Sequence, residues 1–312
     1  MKMRMDDCLF FDIETTGLSA DLSAITIIGC CPSDGACVQW FNEDGFSQKQ
    51  ILADFLSFCK DYKTIISFNG AAFDLPFLTA KIREYGFSDS LSSKEHLDLY
   101  QKLRRYRHLF PFRSFRQKNF EDYLGIKRKD SLSGKKVIKA YQSWLKTGDT
   151  ALKDQILLHN KEDLTGLRAV FQLLCYPSLE SGSFTVQNAE FVSSGFTAGL
   201  SLRHPFPAAA HFEKDGMSLQ TEKDSARFSA KFGEDMTLRH YYPNPKDYYY
   251  LPEEDIIIPK SMGSFVDRKA RIPASPSRCY SKFKPSQDFL CDTQALQSFL
   301  HHSIIYLMNP AD

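Results

Sequence analysis

The chain has 312 residues, 43% hydrophobic and 25% charged, with a formal net charge of +1. That composition is ordinary for a globular protein and excludes a disordered chain, a collagen-like chain and a coiled coil. The length suits one large domain, or one of about 150–200 residues beside a smaller one.

The charge is unevenly spread. Residues 1–100 carry 8 Lys+Arg against 15 Asp+Glu, whereas residues 101–139 carry 13 against 3. A basic stretch beside an acidic half suits a protein that holds a polyanion near metal-binding carboxylates. A solvated basic helix face is the alternative, and the charge run alone does not choose between them.

Taken in chain order, Cys8–Ile13 is a short apolar run and predicts a buried strand. Ser23–Cys31 and Ala36–Phe41 predict two more, joined by the turn Pro32-Ser33-Asp34-Gly35. Ile51, Leu52, Phe55, Leu56 and Phe58 recur at helical spacing, which predicts an amphipathic helix over Ser47–Lys60. Thr64–Phe68 reads as a fourth strand, Asp74–Tyr85 as a helix closed by Gly86, and His96–Leu99 as a fifth strand. Residues 116–124, 135–146 and 150–174 read as helices. Three successive strands followed by alternating helices and strands predict an α/β domain on a mixed five-stranded sheet flanked by helices. The texture changes after Tyr176-Pro177 to short alternating stretches and, over 241–285, seven prolines. The expected organisation is therefore a domain over residues 1–177 and a smaller, mostly β or irregular region over 178–312.

The longest nearly unbroken apolar run, near 24–31, is far short of the ~20 residues a membrane span needs. With a strand expected to start at Cys8, a cleavable leader is not expected. The eight cysteines show no C-x-x-C spacing and sit mostly in apolar stretches, so reduced, buried thiols and a cytoplasmic location are expected.

Three motifs carry chemistry. In Phe11-Asp12-Ile13-Glu14-Thr15-Thr16-Gly17, two carboxylates two apart on a strand share a face. Such close like charges call for a cation or a proton between them, and magnesium or manganese would suit the oxygen donors. Two solvated acids at a strand end are the alternative, though Asp12 is embedded in an apolar run. In Asn69-Gly70-Ala71-Ala72-Phe73-Asp74, a strand end leads to an acid that opens a helix, which a plain N-cap would also explain. His159 and Asp163 lie i and i+4 on a long helix and share a face. They read either as a surface pair or as a metal ligand with a histidine placed to handle the attacking water. Asp98 reads as a strand-end or capping residue, the run Tyr248 to Asp255 as an aromatic-acidic patch with a solvated turn, and His301-His302 as a helix surface pair.

Together, in this order and spacing, the three motifs resemble the DEDD 3′–5′ exonucleases of the ribonuclease H-like superfamily. The run Phe120 to Arg128, followed by Asp130 and Gly134, looks like the YprB-like ribonuclease-H branch. The resemblance covers roughly residues 6–176. It implies a metal-dependent nuclease, most simply a 3′–5′ exonuclease on single-stranded DNA or RNA or on frayed 3′ ends. It implies two divalent cations, Mg2+ or Mn2+, held by Asp12, Glu14, Asp74 and Asp163, with His159 orienting or deprotonating the water. Thr15, Asn69 and Phe73 fall at substrate-facing positions of the same motifs. Arg104, Arg105, Arg113 and Arg116 are expected to contact phosphates, with Tyr106, Phe110, Phe112 and Phe115 offering rings for bases or else packing in a core. One departure stands out: His159 occupies the x3 spacing at which such proteins carry Tyr, those with His usually having x4. A module of the same fold that binds nucleic acid with little or no turnover is the alternative.

Overall fold

A computed structural model describes residues 5–310 apart from Asp34 and Glu234. The chain divides into two compact units, Met1–Arg105 with Phe112–Phe171, and Tyr106–Pro111 with Gln172–Asp312.

The first unit is built on β1 (Cys8–Thr15), β2 (Ile25–Pro32), β3 (Val38–Phe41), α1 (Gln48–Phe58), β4 (Thr64–Ser67), α2 (Asp74–Glu84) and β5 (Glu95–Asp98). Then follow α3 (Leu99–Leu103), α4 (Gln117–Tyr123), α5 (Gly134–Thr147) and α6 (Thr150–Val170). The strands form one mixed sheet in the order β3-β2-β1-β4-β5. β1 pairs antiparallel with β2 and parallel with β4, and β4 pairs parallel with β5. This is the ribonuclease H-like mixed five-stranded sheet.

Both faces of the sheet are covered, which is why β2 reads as a continuous apolar run. On one face, Leu9, Phe11 and Ile13 pack with Ile51, Leu52 and Phe55 of α1 and Phe77 and Leu78 of α2. Around the other, Ile27 and Phe41 pack with Val137, Tyr141 and Trp144 of α5 and Ile156 of α6. Because side chains alternate along a strand, burying Phe11 and Ile13 towards α1 turns Asp12 and Glu14 the other way, towards α6.

In the second unit, α7 (Cys175–Glu180) comes after residues 106–111 and 172–174. An antiparallel sheet follows: β6 (Phe184–Val192), β7 (Gly195–Leu202), β8 (Ala210–Lys214), β9 (Met217–Glu222) and β10 (Ser225–Lys231), in the order β6-β7-β10-β9-β8. The short strands β11 (Leu238–Tyr241), β12 (Tyr248–Leu251), β13 (Ile256–Pro259), β14 (Ile272–Pro273) and β15 (Tyr280–Phe283) lead to α8 (Gln287–Cys291) and α9 (Thr293–Met308). Phe299 of α9 packs edge-on against Phe196 and Phe228, with ring centroids 5.4 and 6.0 Å away.

Several expectations need correction. Not all cysteines are reduced: Cys31 and Cys37 form a disulfide, while Cys8, Cys30, Cys59, Cys175 and Cys279 are buried thiols. The two residues flank the turn after β2, so the chain reversal brings them together; Asp34 of that turn lies outside the described residues. His301 and His302 are half-buried and packed, His301 Nε2 at 2.9 Å from the Glu180 carbonyl and His302 Nδ1 at 2.9 Å from His240 Nε2. In the acidic turn Glu253 and Glu254 are exposed, as expected, but Asp255 is half-buried and paired. It accepts hydrogen bonds from the hydroxyls of Tyr250 and Tyr280 and pairs with Lys282. Among the described residues, no helix is long and apolar enough to cross a membrane.

Candidate active site

Three elements bring the expected acids together. Asp12 and Glu14 stand on β1, Asp74 opens α2, and Asp163 faces the sheet from α6. Phe73, not Asp74, takes the cap position of α2, so the Asp74 carboxylate is free to accept a bond from the Ile13 amide of β1 at 3.3 Å. That bond ties the start of α2 to the strand carrying the other two acids.

The second motif is shaped by Asp98. This buried carboxylate caps α3 through the amides of Tyr100 and Gln101, and also accepts from the amides of Asn69 (2.8 Å) and Ala71 (3.1 Å). Asn69 adopts φ +65°, and a Cβ at Gly70 would stand 2.3 Å from Ser67 Oγ. The capping role expected for Asp98 is therefore extended: it holds the turn that delivers Asp74.

α6 approaches β2 closely because Gly29 lacks a side chain. A Cβ there would lie 2.1 Å from Asn160 Oδ1 and 2.7 Å from Leu164 Cδ1. Gly29 pairs with Asp12 across the strands, so the gap it leaves lies beside the first acid. Asn160, fully buried, fills it: its amide donates to Asp12 Oδ2 at 2.9 Å and its oxygen accepts from Gln39 Nε2 at 2.8 Å.

His159 is buried beside these groups. Nδ1 lies 2.6 Å from Asp130 Oδ2, and Nε2 faces Glu14 Oε1 at 3.4 Å and Asp163 Oδ2 at 3.3 Å. The other oxygen of Asp163 pairs with Arg128 at 2.6 Å, and Arg128 also grips the buried Glu121. Glu162 accepts from the amides of Lys129 and Asp130 and pins that loop to α6. Asn160, Asp130, Arg128 and Glu121 were not singled out as site residues from sequence. The signal for Asn160 was a polar residue in the stripe Ile156, Asn160, Leu164, Leu167 that faces the sheet.

The electrostatics are those of an acidic cluster compensated only at Asp163, by Arg128. Burial pushes the Asp12 and Glu14 carboxyls well above the usual carboxylate range, and the charges of Asp163 and Asp74 push them further. Asp74 rises to about 7, chiefly through burial, with Asp98 and Asp163 adding to it and the Ile13 amide opposing. Burial also raises Asp163, tempered by His159 and Arg128. A hard divalent cation would relieve this repulsion, and the carboxylate oxygens fit magnesium or manganese.

The remaining expected residues divide between buried and exposed positions. Thr15 is buried and donates to the Gly17 carbonyl at 2.7 Å; Phe73 is half-buried against Phe77. Arg104, Arg105, Arg113 and Arg116 are exposed. The rings expected between them are mostly unavailable to bases: Tyr106, Phe110 and Phe115 are buried, and Phe112 packs edge-on against Phe120 at 4.9 Å. The pattern of cations and rings came from aromatic packing with charges on the outside.

A mixed sheet of this order, with acids at the middle strand and on a helix against it, defines a ribonuclease H-like protein. A family model described as the RNase H superfamily matches residues 9–175, more than half of the chain, and the chain belongs to that superfamily. Membership supports nuclease chemistry in general terms. Among solved structures it is similar to the family B DNA polymerase from the hyperthermophilic archaeon Pyrobaculum calidifontis, at 13% identity and a TM-score of 0.50, over 96% of this chain and 46% of that one. At that identity the likeness shows the fold alone, and the chain spans less than half of the polymerase's length. No curated protein sequence matches the chain.

Proposed function

We propose that this chain is a metal-dependent nuclease of the DEDD type, related to the YprB-like branch, and that it trims DNA or RNA from single-stranded or frayed 3′ ends. In this reading residues 1–177 form the exonuclease domain and 178–312 a second domain. The observation that carries it is the meeting of Asp12, Glu14, Asp74 and Asp163 from β1, α2 and α6, all with carboxyls raised by burial and, for Asp12, Glu14 and Asp74, by the charges of neighbouring acids.

The four acids would hold the divalent cations, which when bound supply charge neutralisation at the phosphate and acidify the attacking water. The protein's own part is positioning. Asn160 fixes the Asp12 carboxylate, the Ile13 amide fixes Asp74, and Arg128 fixes Asp163. Asp98 sets the turn before Asp74. The exposed Arg104, Arg105, Arg113 and Arg116 would draw in the phosphate backbone.

A second reading, a nucleic-acid-binding module without turnover, is favoured by one observation: Asp163 already has a cation in Arg128. Incubation with 5′-labelled single-stranded DNA and RNA separates the two. The nuclease reading expects a descending ladder with Mn2+ that chelator abolishes and Asp12→Asn removes. Tight binding with no cleavage by the folded wild type in any divalent cation would favour the binding module.

A further inference from the structure

The geometry points to His159 as a direct metal ligand: its Nε2, with Glu14 Oε1 and Asp163 Oδ2, forms a mixed nitrogen and oxygen centre that prefers a first-row transition ion to magnesium. This rests on the acidic cluster of the proposed nuclease but departs from the role in which His159 handles only the water.

The surroundings of the ring favour the tautomer with its proton on Nδ1. Nδ1 is held at 2.6 Å by Asp130 Oδ2, whose side chain is 3% exposed. Asp130 cannot turn away, because its other oxygen accepts from the Leu132 amide at 2.8 Å and its own amide is held by Glu162. With Nδ1–H donating to Asp130, Nε2 is the ring nitrogen turned towards the cluster. A carboxylate behind a histidine in this way fixes the ring and strengthens its free nitrogen as a donor to metal.

The spacing then suits an ion. His159 is 7% exposed, so the ring is shut off from bulk water. A divalent cation among His159, Glu14 and Asp163 would accept the Nε2 lone pair and both carboxylates at once. Nε2 stands 3.4 Å from Glu14 Oε1 and 3.3 Å from Asp163 Oδ2. Two ligands about 2.1 Å from one ion in a tetrahedral arrangement lie roughly 3.4 Å apart. The three ligand atoms are all within 4.8 Å of one another. Arg128 occupies Asp163 Oδ1, so Oδ2 is the oxygen left for an ion.

The donor set decides which ion. Magnesium prefers oxygen ligands in an octahedron and keeps several waters, whereas an imidazole nitrogen raises affinity along the transition series. A His/Glu/Asp centre should therefore bind Mn2+, and more so Zn2+, ahead of Mg2+.

The test loads the intact protein with Mn2+ and records pulsed electron paramagnetic resonance, alongside calorimetric titration with Mg2+, Mn2+ and Zn2+. The expected result is a nitrogen coupling from a directly bonded imidazole in the wild type that disappears in His159→Gln. Asp130→Asn should weaken Zn2+ and Mn2+ binding by about 10–100-fold, as removing a carboxylate behind a ligating histidine usually does, while changing Mg2+ binding little. Mn2+ bound with no nitrogen coupling in the wild type, or with a coupling that survives His159→Gln, would overturn the inference and leave the nuclease reading standing. Failure to bind any of the three ions would overturn both. The wild-type spectrum needs no variant, so misfolding of a mutant cannot obscure the answer.

Discussion

Asp74 makes the metal-free protein sensitive to pH in a direction opposite to most carboxylates. Its pKa is raised from the ordinary 3.8 to about 7 in the folded state, first by burial and then by the neighbouring acids. A raised acid favours the protonated folded form. The stability it leaves intact is fully present below about pH 4, is lost as pH climbs towards 7, and changes little beyond. Moving from 3.8 to about 7 corresponds to roughly 4 kcal/mol, a large share of a domain's stability. The assay is urea unfolding in chelator at pH 5 and pH 8, for the wild type and for Asp74→Asn. Asparagine keeps an acceptor for the Ile13 amide and removes the charge, so the wild type should lose a few kcal/mol more than the variant between the two pH values. Because Asp12, Glu14 and Asp163 shift the same way, a residual slope should remain in the variant. Saturating Mn2+ at pH 8 should restore stability by RT ln(1 + [L]/Kd), about 2.7 kcal/mol at a hundredfold excess over Kd. Equal pH slopes for wild type and Asp74→Asn, or greater stability of the metal-free wild type at pH 8, would refute the reasoning.

Three further outcomes are expected. Gly29→Ala should destabilise the first unit by about 1–3 kcal/mol and lower cleavage, because its Cβ must displace Asn160 from Asp12; unchanged unfolding would show that α6 yields freely. Asp98→Ala removes the acceptor of four backbone amides, so about 1–3 kcal/mol and much of the hydrogen-exchange protection at Asn69 and Ala71 should go. Neutralising Arg104, Arg113 and Arg116 should flatten the salt dependence of single-strand binding, by about 0.7 in log–log slope for each phosphate these side chains neutralise. An unchanged slope there would assign them to a merely solvated face.

What the sequence by itself determined is what repeats locally. The two-residue period of β1 puts Asp12 and Glu14 on one face, and the helical period of α6 does the same for His159 and Asp163. The order of strands and helices was legible for the same reason, since burial imprints its period on the chain. The shell around the acids was not. Asp130 meets His159 across 29 residues and Asn160 meets Asp12 across 148, and no period links such positions. Their meeting depends on how the loop after α4 runs over α6 and on the absence of a side chain at Gly29, both consequences of packing. The rings of 106–115 show the same limit from the other side. Cations and aromatics alternate along the sequence, but only the tertiary structure decides that Tyr106, Phe110 and Phe115 are buried, because hydrophobic burial draws rings inward wherever a core is within reach.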